Sequence, residues 1–563
     1  MAHGKAAVAP AGPAYEIARE PPEVAFISRR PYLWRVAHDL TERLKSMVPE
    51  AGVTVSPYYL CAKAVFWALV SALTILPLLA LAVAVSPWFL LALAVPPLVL
   101  LSPYLRLRGA VGDRRRGLEQ ELPYFCIHAT VLQSAGLDLY HALTSVIGKG
   151  VFRQVEKDAR IARKNARLHG QAGGLEVVET LGRTCPNPKF RSLLLGYSSE
   201  ARSGGDTTRY LEGRTAEFLR DARERWEGYT RDVSGIMEVV VILLLVGPIL
   251  LLGAGFLSPD TAAPVFGLFL CPGLPVVFAA GVGMLRSTQP KSYDQLASDP
   301  LPAVLFSLFS FLALAASGVE WWLTACVSGA VGALVYGLPV EVQLRQIRRE
   351  EEGMVEFLRD VTEYVKMGHD LPSAVSILAS ERPYNPHFDR LLREAKKYLD
   401  KGVPLSGISL PARSWFVRVG FFHLGEIADT GGYSARSLEL LTDFMESVHH
   451  QKRSASSRLG LYRILGLAAP IILGAVAGVI LGVLSGIQYF SVAGAEGVLP
   501  PAAPPLVGHA KALIIGASAG MGLLVSYAAD FTLKRTLWLA VALILSAAGI
   551  WVAGLGTRIF ALV

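Results

Sequence analysis

Charged residues are scarce in this sequence. Only 18% of its 563 residues are Asp, Glu, Lys or Arg, and 52% are hydrophobic, whereas a soluble protein carries about 25% charged residues. The charged residues are also unevenly distributed, because long stretches have none while others are dense in Arg and Glu. This composition excludes an ordinary soluble enzyme and a disordered chain. It indicates membrane spans with soluble segments between them.

Motifs for catalysis and for metal or cofactor binding are also lacking. The five cysteines stand far apart without a CxxC pair, which excludes zinc ribbons, iron–sulfur clusters and thioredoxin-like chemistry. The sequence has no GxxxxGK[ST] phosphate loop and no HExxH. The pair His449 and His450 lies among charged residues of a predicted helix, where a solvated surface is favoured over a metal site. We therefore expect that the protein is not an enzyme and that it has no catalytic, cofactor-binding or metal-binding residues.

Long apolar runs, in contrast, are abundant. A helix needs about 20 apolar residues to cross the hydrocarbon core of a membrane. We predict nine such spans, at residues 64–85, 87–105, 236–256, 264–285, 301–318, 321–340, 464–484, 511–529 and 537–556. The first two are so close in sequence that they must form a tight hairpin. The sequence therefore predicts an all-α polytopic membrane protein.

The lysines and arginines indicate the orientation of these spans. With a cytoplasmic N-terminus, the inside segments are 1–63, 106–235, 286–299, 341–463 and 530–536. They contain all 54 Lys and Arg residues except Lys511 and Arg558, and such an excess is typical of cytoplasmic segments. We therefore expect a multi-pass protein of the cell membrane with an extracytoplasmic C-terminus. Topology also accounts for the basic pI of about 9.1, so we expect no nucleic acid as a partner.

Ionisable residues are missing from the interior of the predicted spans, where only Glu238 and Lys511 lie near the ends. Pumps and ion-coupled carriers retain such residues for function, so their absence argues against a carrier. Several spans contain prolines, including Pro248, Pro272 and Pro470. Broken helices can line a substrate site, but proline is common in membrane helices generally.

These features divide the chain into soluble and membrane segments. The predicted divisions are a flexible tail at 1–30, an amphipathic helical region at 31–63, spans at 64–105, a helical-bundle domain at 106–235, spans at 236–285, a loop at 286–300, spans at 301–340, a second helical-bundle domain at 341–463, spans at 464–529 with an extracytoplasmic loop at 485–510, and a last span with the C-terminus at 530–563. The apolar face around Leu33, Leu40 and Met47 either lies on the membrane surface or, as we favour, packs against the first domain.

The two large soluble segments resemble each other. A shift of 232 residues aligns Tyr104 with Tyr336, Phe125 with Phe357, Thr130 with Thr362, Gly136 with Gly368, Asp138 with Asp370, Leu139 with Leu371 and Ala142 with Ala374. Further along, ARSGGDTTRYLE (201–212) matches ADTGGYSARSLE (428–439). Order-preserving self-similarity of this kind indicates duplication. The repeated unit is two spans, a soluble domain and two more spans, so both copies keep the same orientation.

Two sets of glycines have a predicted structural role. Gly136 and Gly368 precede Asp138 and Asp370, and these aspartates are predicted to cap the helices that follow. Asp206 is a similar candidate after Gly204 and Gly205. The second set is Gly474, Gly478, Gly482 and Gly486, one at every fourth residue of the seventh predicted span. They form one helix face that allows close approach of another backbone, either within the protein, as we favour, or across a homodimer seam.

Two helical domains, each with a Gly-x-Asp-Leu-x-x-Ala turn and a later Gly-Gly turn, resemble the type II secretion system F-domain family. The element Gly425-Glu426-Ile427-Ala428-Asp429-Thr430-Gly431-Gly432 is similar to that family's Gly-Glu…Gly element, and Glu200 to Gly205 is similar to its counterpart in the first domain. The nine-span layout resembles the archaeal branch, the membrane platform proteins of archaeal type IV pili and the archaellum.

The resemblance implies a non-enzymatic platform for filament assembly. A hexameric cytoplasmic secretion ATPase would engage the two domains, and pilin or archaellin subunits would be extracted beside the spans. The glycine turns, Gly431 and Gly432 included, would be structural. The first domain carries 22 Lys and Arg against 16 Asp and Glu, so Arg114, Arg115 and Arg116 are candidate ATPase contacts. Glu200 and Glu426, in the two elements that resemble the family's Gly-Glu…Gly element, are further candidates.

A second reading uses the same duplication and spans. The chain could be the permease subunit of a solute or export transporter, with the proline-containing spans around its pathway. The soluble domains are larger than such permeases generally need, and the spans lack charge, so we favour the platform. Whether the filament is an adhesive pilus, an archaellum or a DNA-uptake appendage is left open by the residues.

Overall fold

The regular secondary structure of this chain, where the structure describes it, is helical. The computed structural model describes residues 22–45, 47–48, 57–73, 95–168, 173–257, 265–290, 293–430, 435–492 and 504–560. Within these ranges no strand occurs, as expected for an all-α chain. The chain divides into two compact units, Met1–Arg214 and Thr215–Val563.

The first unit is built from short and medium helices around one long one. Its helices are α1 (Pro22–Ser28), α2 (Pro31–Leu44), α3 (Pro57–Leu73), α4 (Val95–Ser134), α5 (Leu139–Ser145), α6 (Gln154–Leu168), α7 (Gly174–Thr184), α8 (Pro188–Arg202) and the beginning of α9 (Thr207–Val241). The amphipathic α2 buries Ala37 and Leu44 against α3 and α4. In the remainder of this unit, three aromatic rings lie at the centre of the core. Phe125 packs edge-to-face on both Phe152 and Phe190.

The second unit contains most of the long apolar helices. A π-helical turn (Ile242–Val246) joins α9 to α10 (Gly247–Leu257), and a second one (Phe269–Gly273) leads into α11 (Leu274–Thr288). The others are α12 (Pro300–Ala316), α13 (Trp321–Lys366), α14 (Leu371–Glu381), α15 (Pro386–Leu399), α16 (Trp415–Thr430), α17 (Ala435–Arg458), α18 (Gly460–Val492), α19 (Pro504–Asp530) and α20 (Leu537–Phe560).

Several helices are suited to cross a membrane. Among the described residues, five helices are long and apolar enough to cross a membrane: Thr207–Ala254, Val265–Thr288, Trp321–Lys366, Arg436–Ile480 and Gly508–Asp530. Three shorter apolar helices are Tyr58–Leu73, Pro300–Ala316 and Leu537–Val552. The chain is thus an α-helical, multi-pass membrane protein, and many large apolar side chains on these helices are exposed to their surroundings, as lipid-facing residues are.

Some helices extend well past the predicted ends of the spans. The helix α13 has 46 residues, about 69 Å at 1.5 Å per residue. Its first part is the predicted span 321–340, and its remainder, from Glu341 to Lys366, is rich in charged residues. The helix α4 likewise runs from Val95 to Ser134 without a break at residue 106. The predicted loop 485–510 is helical up to Val492 and again from Pro504.

The second unit has two core regions. In its soluble part, the ring of Phe357 packs against Phe388 and Phe421, with centroids 5.5 and 5.8 Å apart. Among its apolar helices, buried aliphatic and small residues of α18, α19 and α20 pack together with Leu244 of the first π-helical turn. The first π-helical turn ends two residues before Pro248, and the second contains Pro272. The missing N–H of a proline prevents a regular helical hydrogen bond.

Candidate functional site

The first glycine turn has the same geometry in both soluble parts. Gly136 and Gly368 adopt φ angles of +83° and +96°, a left-handed conformation that favours glycine at a helix end. Two residues later an aspartate caps the next helix. Asp138 Oδ1 accepts a hydrogen bond from the His141 amide at 2.8 Å, and Asp370 Oδ2 accepts one from the Ser373 amide at 3.2 Å. These residues thus fix the chain between two helices.

The second glycine turn is described only in the first unit. Gly204 has a φ angle of +73°, and a side chain on Gly205 would overlap the carboxylate of Glu200. Asp206 Oδ1 accepts hydrogen bonds from the amides of Thr208 and Arg209, both at 3.0 Å, and so begins α9. Glu200 therefore lies against the turn itself. The corresponding Gly431 and Gly432 lie outside the described residues, and Glu426 is half-buried on α16.

The three consecutive arginines of α4 have different environments. Arg114 is buried, and its guanidinium donates to Asp158 on α6 at 2.5 Å. Arg115 and Arg116 are exposed, and Arg115 lies 3.7 Å from Glu119. Burial raises the pKa of the Asp158 carboxyl, although Arg114 opposes that effect. Arg114 therefore holds α4 to α6, and it is removed from the surface to which the sequence assigned it.

Each soluble part anchors two helix starts to its long helix, and the sequence reasoning missed the residues responsible. In the first unit the buried carboxylate of Glu121 accepts hydrogen bonds from the amides of Gln154 and Val155, at 2.8–2.9 Å. Asn187 caps α8 through the amide of Phe190 at 2.9 Å. Its side-chain Nδ2 donates to a carbonyl of α4 at 3.0 Å.

The second unit uses the same two residue types. Glu350 on α13 accepts a hydrogen bond from the Ser414 amide, at the start of α16, at 3.0 Å. Asn385 caps α15 through the Phe388 amide at 3.0 Å, and its Nδ2 donates to the carbonyl of Arg349 at 2.9 Å. Carboxylates and amides that satisfy the free N–H groups of a helix start are stabilising. The repeated Asn-Pro-x-Phe, at 187–190 and 385–388, is the signal that could have found them.

A buried cluster of charges lies in the second unit, between residues far apart in sequence. Asp530, with no exposed side-chain surface, pairs with Arg348 at 2.9 Å, Arg463 at 2.6 Å and Arg535 at 2.5 Å. Arg535 also pairs with Glu341 at 2.5 Å. These side chains come from α13, α18 and the α19–α20 turn. The cluster fastens that turn to two long helices.

Neighbouring hydrogen bonds hold the same turn. The Thr536 hydroxyl donates to the carbonyl of Ala333 at 2.7 Å, and Gln289 Nε2 donates to the carbonyl of Phe531 at 2.7 Å. Tyr229 donates to the carbonyl of Ala528 at 3.0 Å. Residues 528–536 are therefore held by α9, α13 and α18, and by Gln289, the residue that follows α11.

Of the four glycines on one face of α18, Gly474 packs closely against another helix of the same chain. A β-carbon on Gly474 would lie 2.6 Å from Cα of Gly549 on α20. Such a close backbone approach requires glycine on both helices. Gly478 is half-exposed, whereas Gly482 and Gly486 continue α18 beyond the residues whose packing is described. Gly474 thus makes a contact within the chain rather than a dimer seam.

Ser518 and Cys185 are two described residues whose chemistry invites comparison with catalytic groups. Ser518 stands in Gly-Ala-Ser-Ala-Gly, the spacing of a hydrolase nucleophile elbow, but it is buried in the middle of α19 rather than at a strand-to-helix turn. Among the described residues no group of His, Cys, Asp and Glu could hold a metal ion. Burial raises the pKa of the Cys185 thiol to about 11, which makes it a poor nucleophile.

Comparisons of the chain with protein-family models, with curated proteins and with solved structures find no match.

Proposed function

We propose that this chain is the non-enzymatic membrane platform of a filament-assembly machine similar to those of archaeal type IV pili and the archaellum. Nine spans would cross the cell membrane, with the N-terminus and two duplicated F-type domains in the cytoplasm and the C-terminus outside. A hexameric secretion ATPase would dock on the domains. Pilin or archaellin subunits would be extracted from the lipid beside the spans.

The observation that carries this proposal is the continuity between membrane helices and soluble bundles. The helix α13 passes from an apolar half into a charged half without interruption, and α9 continues through one π-helical turn into the apolar α10. A platform must convert movement of a cytoplasmic motor into movement at the membrane. A helix that continues without a loop links the two parts directly.

The internal geometry of the two soluble parts supports the proposed duplication. Both have a long helix, a left-handed glycine, an aspartate cap and a buried phenylalanine at aligned positions. The aligned threonines also make the same bond, since the hydroxyl of Thr130 donates to the carbonyl of Cys126 and that of Thr362 to the carbonyl of Leu358, at 2.8 and 2.7 Å. A duplicated domain presents two related docking surfaces to a multisubunit motor.

Fewer arginines remain as candidate contacts for the ATPase. Arg115 and Arg116 are exposed on α4 and remain candidates, whereas Arg114 is engaged with Asp158. Exposed arginines steer association with an acidic partner and contribute specificity more than affinity. Glu426 and Glu200 stay candidates beside the glycine turns.

Affinity purification from native membranes in mild detergent tests this function. We expect the wild-type chain to recover a hexameric ATPase and pilin-like subunits. The variant Arg115→Glu/Arg116→Glu should lose most of the ATPase, about tenfold or more. The matched control Arg163→Glu/Lys164→Glu reverses the same charge at two exposed residues of α6 and should retain the ATPase.

Two outcomes would contradict the proposal. Recovery of neither an ATPase nor a pilin would remove its basis. Recovery of a nucleotide-binding transport subunit instead would favour a permease, the alternative that the sequence left open.

A further inference from the structure

A polar cleft lies between α9 and α17, within the second unit. Its volume is about 830 Å³, within the range of roughly 300–1,000 Å³ that small-molecule sites occupy. One stripe of each helix lines it. The polar side chains that matter here are Glu227, Arg231, Glu238, His450, Ser454 and Arg458.

The cleft contains positively and negatively charged side chains that do not form ion pairs. Arg231 and Arg458 are exposed, and so are Glu227 and Glu238. In the part of the chain that the structure describes, none of these four makes an ion pair or a side-chain hydrogen bond with another protein group. Some other arginines of the same unit, among them Arg463 and Arg535, are paired with carboxylates. Two cations and two anions that face one cavity are complementary to a ligand that itself carries both charges.

The position of the cleft relates it to the membrane. Glu238 is the last charged residue before the apolar end of α9, and Arg458 is the last before α18. One turn further, Ile242 is 57% exposed, and Leu461 is 61% exposed. Exposed aliphatic side chains therefore lie one turn beyond the polar cavity, in the π-helical turn after α9 and at the start of α18.

The start of α18 is tied to α9 beside the cleft. The Tyr462 hydroxyl, in the first turn of α18, donates to the carbonyl of Ser234 on α9 at 3.1 Å. Ser234 also lines the cleft, so this bond lies at the edge of the cleft. A ligand with a polar head and apolar chains would satisfy the unpaired charges of the cleft and cover the aliphatic side chains beyond it.

We propose that this cleft binds the head group of a membrane phospholipid that carries both a phosphate and a primary ammonium group. Arg231 and Arg458 hold the phosphate, since guanidinium matches phosphate geometry. Glu227 and Glu238 accept hydrogen bonds from the ammonium group. The acyl chains lie along Ile242 and Leu461. This site depends only on the membrane location of the helices and not on the proposed platform role.

Native mass spectrometry of the full chain in detergent tests the site, with three added lipids of identical acyl chains. Phosphatidylethanolamine has the phosphate and the primary ammonium, phosphatidylcholine has a methylated ammonium, and phosphatidylglycerol has no ammonium. We expect one phosphatidylethanolamine to be retained per chain, at least fivefold more than either other lipid.

Variants separate the two halves of the head group. Arg458→Gln should lower retention of all three lipids at least fivefold, whereas the matched control Arg453→Gln, which removes the same charge from α17 outside the cleft, should not. Glu238→Gln should abolish the preference for phosphatidylethanolamine over phosphatidylglycerol, whereas Asp232→Asn on the other face of α9 should preserve it. All four replaced side chains are exposed, so the variants are expected to fold.

Three results would overturn the proposal. Equal retention by the wild type and Arg458→Gln would show that lipid binds elsewhere. Equal retention of phosphatidylethanolamine and phosphatidylglycerol by the wild type would show that no ammonium is recognised. Complete displacement of lipid by about 10 mM inorganic phosphate would identify the ligand as the free ion. A concentration of about that order is enough to saturate a site for a free anion.

Discussion

Removing the carboxylate of Asp530 tests the buried charge cluster most directly. Its side chain is fully buried and pairs with Arg348, Arg463 and Arg535 within 2.9 Å. The substitution Asp530→Asn keeps the shape of the side chain but deletes the negative charge. Three guanidinium groups then remain close together with only Glu341 nearby to offset them. We expect the α19–α20 turn to lose its attachment to α13 and α18.

The magnitude follows from the exposure of the arginines. Breaking a buried ion pair by removing one partner costs about 3–5 kcal/mol. The side chain of Arg348 is 48% exposed and can turn to water, whereas those of Arg463 and Arg535 are 23% and 9% exposed. The lower end, about 3 kcal/mol, is therefore expected. For a unit of roughly 350 residues, an unfolding entropy of about 2.1 cal/mol/K per residue converts this into a decrease of about 4 °C in Tm.

Thermal unfolding in detergent is the assay, and Glu439→Gln is the control. Glu439 pairs with Lys366 at 2.9 Å on the surface of the same unit, and exposed pairs contribute at most about 1 kcal/mol. In a double-mutant cycle, Arg463→Gln should cost less in the Asp530→Asn background than in the wild type, because it then relieves repulsion. Equal Tm values for Asp530→Asn and Glu439→Gln would refute this account of the cluster.

Three further predictions concern stability. Gly474→Val should separate α18 from α20 and lower Tm by several degrees, whereas Gly478→Val, where the helix is half-exposed, should have a smaller effect in the same assay. Arg114→Ala should cost about 3 kcal/mol because it strands a buried carboxylate, and Arg115→Ala next to it less than about 0.5 kcal/mol; similar denaturant midpoints would contradict the burial of Arg114. Asp370→Ala should cost about 1 kcal/mol at neutral pH through the lost cap. Hydrogen bonding to Ser373 lowers the pKa of Asp370, so its charge stabilises the fold above the unfolded pKa and that contribution disappears as pH falls through the lowered folded value; a cost that persists unchanged in acid would be evidence against this linkage.

Local sequence patterns predicted local structure well and long-range contacts poorly. The glycine–aspartate pairs indicated turn and cap because those roles depend on neighbouring residues only, and Asp138 and Asp370 are found at helix starts. Five of the nine predicted spans fall on described helices that are long and apolar enough to cross a membrane. The apolar runs did not show where such helices end, because α13 continues on charged residues with high helix propensity.

The partners of the buried charges could not be read from the sequence. Asp530 and Arg348 are separated by 182 residues, and Arg535 and Glu341 by 194. Only the packing of α13 beside the α19–α20 turn brings them together. For the same reason Arg114 was indistinguishable from Arg115, since the side facing α6 depends on how two helices pack.

The length of α13 has a mechanical consequence. Pro339 stands where the apolar half meets the charged half, and a proline there removes one helical hydrogen bond and favours bending at that level. About 40 Å of charged helix extends beyond it. A tilt of about 5° about this pivot would move the far end by about 3.5 Å, roughly the rise of two residues along a helix. The arm thus magnifies a small angular change at the bilayer surface into a displacement large enough to alter the contacts of a bound partner.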